Sequence, residues 1–137
     1  MPELKKYKMF IDGEWVDSES KKTFETLNPE NNEPWAVAPE ASAKDVDRAV
    51  KAAQKAFEGE WPKLLPRDRA KFLRAIADQL RKNAEMLGEI ETIDTGKLFR
   101  ETKQQATYIA EYYDYYAGLA DKVEGTVLPI DKPNVQA

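Results

Sequence analysis

Over the first forty residues, apolar and polar positions alternate in short stretches separated by turn-forming residues, the period of half-buried strands. Lys8 to Ile11 and Glu14 to Asp17 flank Asp12-Gly13, a pair that tolerates the positive φ angles of a two-residue turn, so a hairpin is predicted here. Thr23 to Leu27 alternates again, with Phe24 and Thr26 on one side. Asn28-Pro29-Glu30-Asn31-Asn32-Glu33-Pro34 reads as a turn, and Trp35 to Ala38 as a returning strand.

From Ser42 the period lengthens to that of helices. Ser42 and Asp45 have the spacing of a capping box, and Val46, Ala49, Val50, Ala53, Ala56 and Phe57 form an apolar stripe behind it. Gly59 suits a left-handed cap at the end of this helix. A second helical region opens at Pro66, with Phe72, Leu73, Ile76, Ala77 and Leu80 on its apolar face. Asn83 is expected to cap its continuation through Met86, Leu87, Ile90 and Ile93, which Gly96 ends. A third helix is predicted from about Leu98 to Asp121, with Gln105, Ala106, Ile109, Tyr112, Tyr113, Tyr116 and Ala120 as its stripe. Five of the six tyrosines fall here, and their helical spacing favours packing against a neighbour over a stacking platform or ligand wall. Thr126 to Ile130 reads as a further strand. The expected architecture is α+β: short β-hairpins followed by three long helices, with no alternating βαβ unit.

Composition then narrows the chemistry. The 137 residues are 42% hydrophobic and 34% charged, with a formal charge of -4, which suits a folded domain and argues against nucleic acid as a partner. No apolar run is long enough to span a bilayer, and the lysine-rich start lacks the apolar core of a secretory signal, so a cytoplasmic protein is expected. There is no cysteine and no histidine, which removes thiolate and imidazole chemistry and zinc sites built on them. The glycines stand at 13, 59, 88, 96, 118 and 125, too far apart for a phosphate-cradling loop. Glu89 and Glu91, or Asp45 and Asp47, lie two apart on helices and do not converge on one site.

Five segments, in order, carry a resemblance. Phe10-Ile11-Asp12-Gly13-Glu14-Trp15-Val16 and Thr26-Leu27-Asn28-Pro29 look like the opening hairpin and the next strand of the aldehyde dehydrogenase superfamily. Ala43-Lys44-Asp45-Val46-Asp47-Arg48-Ala49-Val50 is similar to the start of its first helix. Glu91-Thr92-Ile93-Asp94-Thr95-Gly96-Lys97 matches its E-T-x-D-x-G-K signature, and Tyr115-Tyr116-Ala117-Gly118-Leu119-Ala120-Asp121-Lys122 its Y-Y-A-G-x-A-D-K signature.

The resemblance implies an α/β parent fold and an NAD(P)-dependent oxidoreductase that converts aldehydes to carboxylic acids. Residues 1–125 would be the part of the cofactor domain that precedes the Rossmann sheet, and 126–137 the start of an oligomerisation arm. In the family a cysteine attacks the aldehyde, hydride passes to the nicotinamide, and a glutamate-activated water releases the acid. None of these groups matches a position in this chain, so the chain alone is expected to be inactive and to hold neither NAD nor NADP. The resemblance also implies a Na⁺ or K⁺ seat at Thr26, the Leu27 carbonyl and Asp94; the plainer reading is a strand threonine and a capping aspartate. By register along the third helix, Gln104 and Tyr108 would face the aldehyde entrance, while Leu119 departs from the tryptophan common in the family. The expected partner is the remainder of an aldehyde dehydrogenase chain or a second copy. The competing reading is a stand-alone, non-catalytic interaction or oligomerisation module.

Overall fold

The computed structural model describes residues 4–126. The expected strand at Thr126 to Ile130, and with it the start of an oligomerisation arm, lies outside these residues except for Thr126.

Five strands come first: β1 (Lys5–Lys6), β2 (Met9–Ile11), β3 (Glu14–Val16), β4 (Thr23–Asn28) and β5 (Glu33–Pro39). β2 and β3 form the predicted hairpin, with Asp12 at φ 52° and Gly13 at φ 84°, the pair of positive angles such a turn needs. β4 and β5 pair antiparallel, and β1 adds to the free edge of β5 in parallel. β1 has no apolar alternation to reveal it, since it is two exposed lysines held by their backbone. The turn between β4 and β5 is closed by asparagine side chains, with the Glu30 amide donating to Asn28 Oδ1 and the Glu33 amide to Asn31 Oδ1, both at 3.0 Å.

Four helices follow, not three. They are α1 (Ala43–Glu58), α2 (Pro66–Lys82), α3 (Ala84–Thr95) and α4 (Phe99–Leu119), with a short 3₁₀ turn at Trp61–Lys63. Asn83 separates α2 from α3 and does not cap the second: its side-chain amide donates back to the Gln79 carbonyl at 2.8 Å, closing the end of α2. Gly59 also departs from expectation. Its φ of −86° is not left-handed; glycine serves there because a Cβ would stand 2.9 Å from the Lys55 carbonyl oxygen.

α1 begins as predicted, with Ser42 and Asp45 in a reciprocal capping box. Asp45 does more than cap. It is fully buried and accepts from the Ser42 amide (2.9 Å), the Ser42 hydroxyl (2.8 Å), the buried Ser18 hydroxyl (2.9 Å) and the Glu19 amide (3.2 Å). One carboxylate thus ties the loop after β3 to the start of α1. The Ser42 amide and hydroxyl, with Ser18 and Glu19 adding to them, outweigh burial and hold the Asp45 carboxyl at about 2, against an ordinary 3.8.

The helical core is built from small residues. Ala70 and Ala77 of α2, Ala84 and Gly88 of α3, and Thr102, Ala106, Ala110 and Ala117 of α4 are the buried positions. The expected α4 stripe is therefore corrected. α4 turns its alanine face to α2 and α3, because only small side chains let three helix backbones approach this closely, and Tyr108, Tyr112, Tyr115 and Tyr116 are left exposed. The α1 stripe is bare as well: Val46 is 54% exposed, Val50 61% and Phe57 68%. No helix among the described residues is long and apolar enough to cross a membrane.

At the α3–α4 crossing a Cβ on Gly88 would lie 2.8 Å from the Lys103 backbone nitrogen and 2.9 Å from its Cα. Alanine there gains up to about 1 kcal/mol of helix propensity but forces apart two backbones. We expect Gly88→Ala to lose about 1–3 kcal/mol, the range for overpacking. Gly118→Ala, with nothing within 4 Å of its added Cβ, should gain about 0.5–1 kcal/mol. Urea denaturation of the two variants checks both signs.

Asp45 generates a pH prediction. Its carboxyl has a lower pKa folded than unfolded, so its contribution is complete above the unfolded value and is lost as pH falls toward the folded one. Stability should therefore decline from pH 3.8 to about 2, and Asp45→Asn should flatten that interval. Equal slopes for the two proteins in acid titrations of the melting temperature would contradict this.

Candidate functional site

The run Glu91 to Lys97 forms the corner between α3 and α4, and each of its distinctive residues has a mechanical task. Lys97 Nζ donates to Glu91 Oε1 at 2.6 Å and the Thr95 hydroxyl to the Glu91 carbonyl at 2.6 Å, bracing the last turn of α3. Gly96 stops the helix at φ 73°, its amide donating to the Thr92 carbonyl at 2.9 Å. It also lies against the turn after β4, where a Cβ would come within 3.0 Å of Pro29 Cγ. A side chain at Gly96 would meet both a backbone penalty and a contact with Pro29. A cleft of about 590 Å³ opens beside this corner, with Pro29, Ile93, Lys97 and Phe99 in its wall.

Thr92 and Asp94 point to different partners. Thr92 Oγ1 is 2.9 Å from the hydroxyl of Thr102, which is fully buried on α4. A hydroxyl carries one proton, and Thr102 gives its own to the Gly88 carbonyl (2.9 Å) or the Phe99 carbonyl (3.0 Å), so Thr92 is the donor of the pair. Asp94 Oδ1 accepts from the Thr26 hydroxyl at 2.7 Å, across 68 positions of sequence, and joins β4 to the end of α3.

Of the residues singled out by sequence, Thr26 and Asp94 are thus in direct contact. Leu27 follows Thr26 at a break in the β4–β5 ladder: Thr26 pairs with Ala36 but Leu27 with Pro34. Proline has no amide proton, so Pro34 cannot donate to the Leu27 carbonyl. The arrangement brings a hydroxyl and a carboxylate together at the edge strand of the small sheet. Among the described residues no group of three or more His, Cys, Asp or Glu is positioned to hold a metal ion.

Gln104 and Tyr108 stand one turn apart on the exposed side of α4. Tyr108 packs edge-on against Tyr112, with centroids 5.0 Å apart and hydroxyls 3.0 Å apart. That hydroxyl contact raises the pKa of Tyr112 above its ordinary 10.0. Tyr115 and Tyr116 form a second edge-on pair at 5.4 Å. With Glu111, these four tyrosines line a shallow depression of about 380 Å³. Sequence reasoning passed over Gly88 and Thr102. The signal was present, since a glycine inside a helical run is unfavourable unless something approaches it, and Thr102 is the one hydroxyl in a line of alanines.

Residues 15–137 match the family model described as the aldehyde dehydrogenase family. The chain belongs to this family. Among curated relatives it is 45% identical, over 98% of its own length, to the (Z)-2-((N-methylformamido)methylene)-5-hydroxybutyrolactone dehydrogenase of Acinetobacter baylyi. It is 38% identical, over 94% of its length, to the betaine aldehyde dehydrogenase of Bacillus subtilis. It covers 27% and 26% of these two proteins, so it spans about a quarter of the relatives it matches. Among solved structures, the NAD-dependent aldehyde dehydrogenase of Sinorhizobium meliloti superposes with a TM-score of 0.89 at 32% identity, covering 97% of this chain and 27% of that one. A betaine aldehyde dehydrogenase of Staphylococcus aureus in complex with NAD⁺ gives 0.85 at 39% identity, covering 94% and 26%. The α+β order of short strands followed by helices is the family's own, with one helix more than the sequence pattern predicts.

Proposed function

We propose that these residues are structural scaffold for the NAD- or NADP-dependent oxidation of aldehydes to carboxylic acids. In this reading 1–125 precede the nucleotide-binding sheet and 126–137 begin an oligomerisation arm. The observation that carries the reading is the corner at Glu91 to Lys97, where the family signature is matched in sequence and each distinctive side chain has a partner. The chain's own residues do not suit a dinucleotide: no two of its glycines are close enough to form a phosphate loop, and it has no thiol to act as nucleophile. The bare apolar faces of α1 and α2, with Phe57 68% and Phe72 53% exposed, call for a covering surface. The remainder of an aldehyde dehydrogenase chain would supply it, or a second copy. On the same reading the exposed side of α4, with Gln104 and Tyr108, faces the aldehyde.

The reading includes a seat for Na⁺ or K⁺ at Thr26, the Leu27 carbonyl and Asp94. Three oxygens with a single formal charge suit a monovalent ion better than a divalent one. The Thr26–Asp94 contact at 2.7 Å and the irregularity in the β4–β5 ladder at Leu27, whose partner Pro34 has no amide proton, support the fit. A bound ion would screen the Asp94 charge and brace β4 against α3.

Two outcomes are expected of the purified 137-residue chain. It should produce no NADH or NADPH when mixed with an aldehyde and either cofactor, and sustained turnover would overturn the scaffold reading. Its melting temperature should be higher in KCl or NaCl than in tetramethylammonium chloride of equal ionic strength, and Asp94→Asn should abolish the difference. Equal melting temperatures in all three salts would remove the cation from the reading.

A further inference from the structure

We propose that a second copy of this chain covers the bare apolar faces: the α1 stripe of one copy seats in the groove where α2 gives way to α3 in the other. This rests on one part of the function proposed above, that these faces need a cover, and it names the cover. The stripe is convex. Val46, Val50, Ala53 and Phe57 run along one side of α1, all exposed, at the i, i+4, i+7 and i+11 spacing of a helix that docks by one face. The groove is concave. Phe72, Ile76 and Leu80 of α2, with Met86 and Leu87 of α3, line a space of about 510 Å³ beside Asn83.

Stripe and groove match in length and in charge. Val46 to Phe57 runs about 17 Å along a helix axis, and Phe72 to Leu87 up to about 22 Å along two consecutive helices. One edge of the stripe carries Asp47 and Glu58, and one edge of the groove carries Lys71 and Lys82, each pair eleven positions apart. With α1 and α2 side by side and parallel, acid lies opposite base at both ends. Asp47 and Lys71 pair at present within their own helices, with Lys51 and Asp68, in solvent-facing contacts of the weak kind. Stripe and groove both stand exposed, so they do not meet within one copy. In a two-fold pair each copy gives its stripe and receives the other's, which covers both faces and stops assembly at two. Two such seams, with Phe57, Phe72, Ile76 and Met86 buried in each, withdraw on the order of 1,200 Å² from water, where specific interfaces begin. No residues beyond this chain are needed to build them.

Sedimentation velocity on the purified chain should show a dimer. Val50→Asp on the stripe and Ile76→Asp in the groove should each raise its dissociation constant about tenfold or more, and Tyr115→Asp, on the exposed side of α4, should not. A monomeric wild-type chain would overturn the proposal and leave the cover to the remainder of an aldehyde dehydrogenase chain. Persistent dimerisation of the Ile76→Asp variant would overturn it in favour of two α1 stripes packed on each other, and equal weakening by Tyr115→Asp in favour of unspecific association. All three positions are exposed in the single copy, so the helical circular dichroism should survive; its loss in the stripe or groove variant would place that face inside one copy and sink the idea. The chain has no cysteine, so Asp47→Cys with Lys71→Cys supplies a thiol at each edge. A short bifunctional thiol reagent should join position 47 of one copy to position 71 of the other in a product of dimer mass. Links from 47 to 47, or no dimeric product, would contradict the arrangement. None of these readouts involves turnover or cations, so failure here leaves the scaffold reading standing.

Discussion

Two helix backbones meet at Gly88, and the helical half of the molecule is organised around that approach. A Cβ at this point would lie 2.8 Å from the Lys103 nitrogen, so α4 rests on α3 with nothing between them. Helices that close cannot interlock through large side chains, which is why the buried residues around the crossing are alanines and one threonine. The Thr92 and Thr102 hydroxyls and the Gly88 carbonyl tie the two helices together at this point, with contacts of 2.9 Å.

The family signature follows from the same geometry. Thr92 serves the crossing, Gly96 turns the chain back against Pro29, Lys97 braces Glu91, and Asp94 reaches out to Thr26. A stretch that might be taken for an active site is a joint connecting one sheet edge to two helices. Its chemistry is that of hydrogen bonds at 2.6–2.9 Å, with no nucleophile and no proton shuttle among them. The joint fixes how α3 meets α4 and where α3 meets the edge of the small sheet.

Asp45 does for the other half what Thr102 does for this one. It is a fully buried carboxylate whose donors come from two separate stretches of chain, so capping α1 and anchoring the loop at Ser18 are one event. Both residues are polar, buried and satisfied, and each ties together stretches of chain that are separate in sequence. Large apolar side chains are mostly on the outside, with Val50 61% and Trp15 67% exposed. Within these residues, order comes from specific polar ties more than from burial of bulk.

Local chemistry was readable from the sequence. The hairpin at Asp12-Gly13, the capping box at Ser42 and Asp45, the start of α2 at Pro66 and the stop at Gly96 depend only on neighbours in the chain, whose backbone preferences travel with residue type. Recognition of the family rested on similar short runs. The choice of which face each helix buries was not readable. Periodicity marks tyrosines and alanines on α4 alike, and only the presence of α2 and α3 a short distance away admits the small face and turns the large one outward. Residue patterns alone did not bring Thr26 to Asp94, which only the family resemblance implied, nor did they reveal that Ser18 would join Asp45 or that Thr102 would find Gly88. Those contacts link positions 68, 27 and 14 residues apart, and a hydrogen bond is decided by the distance between atoms, which exists only once the chain has folded.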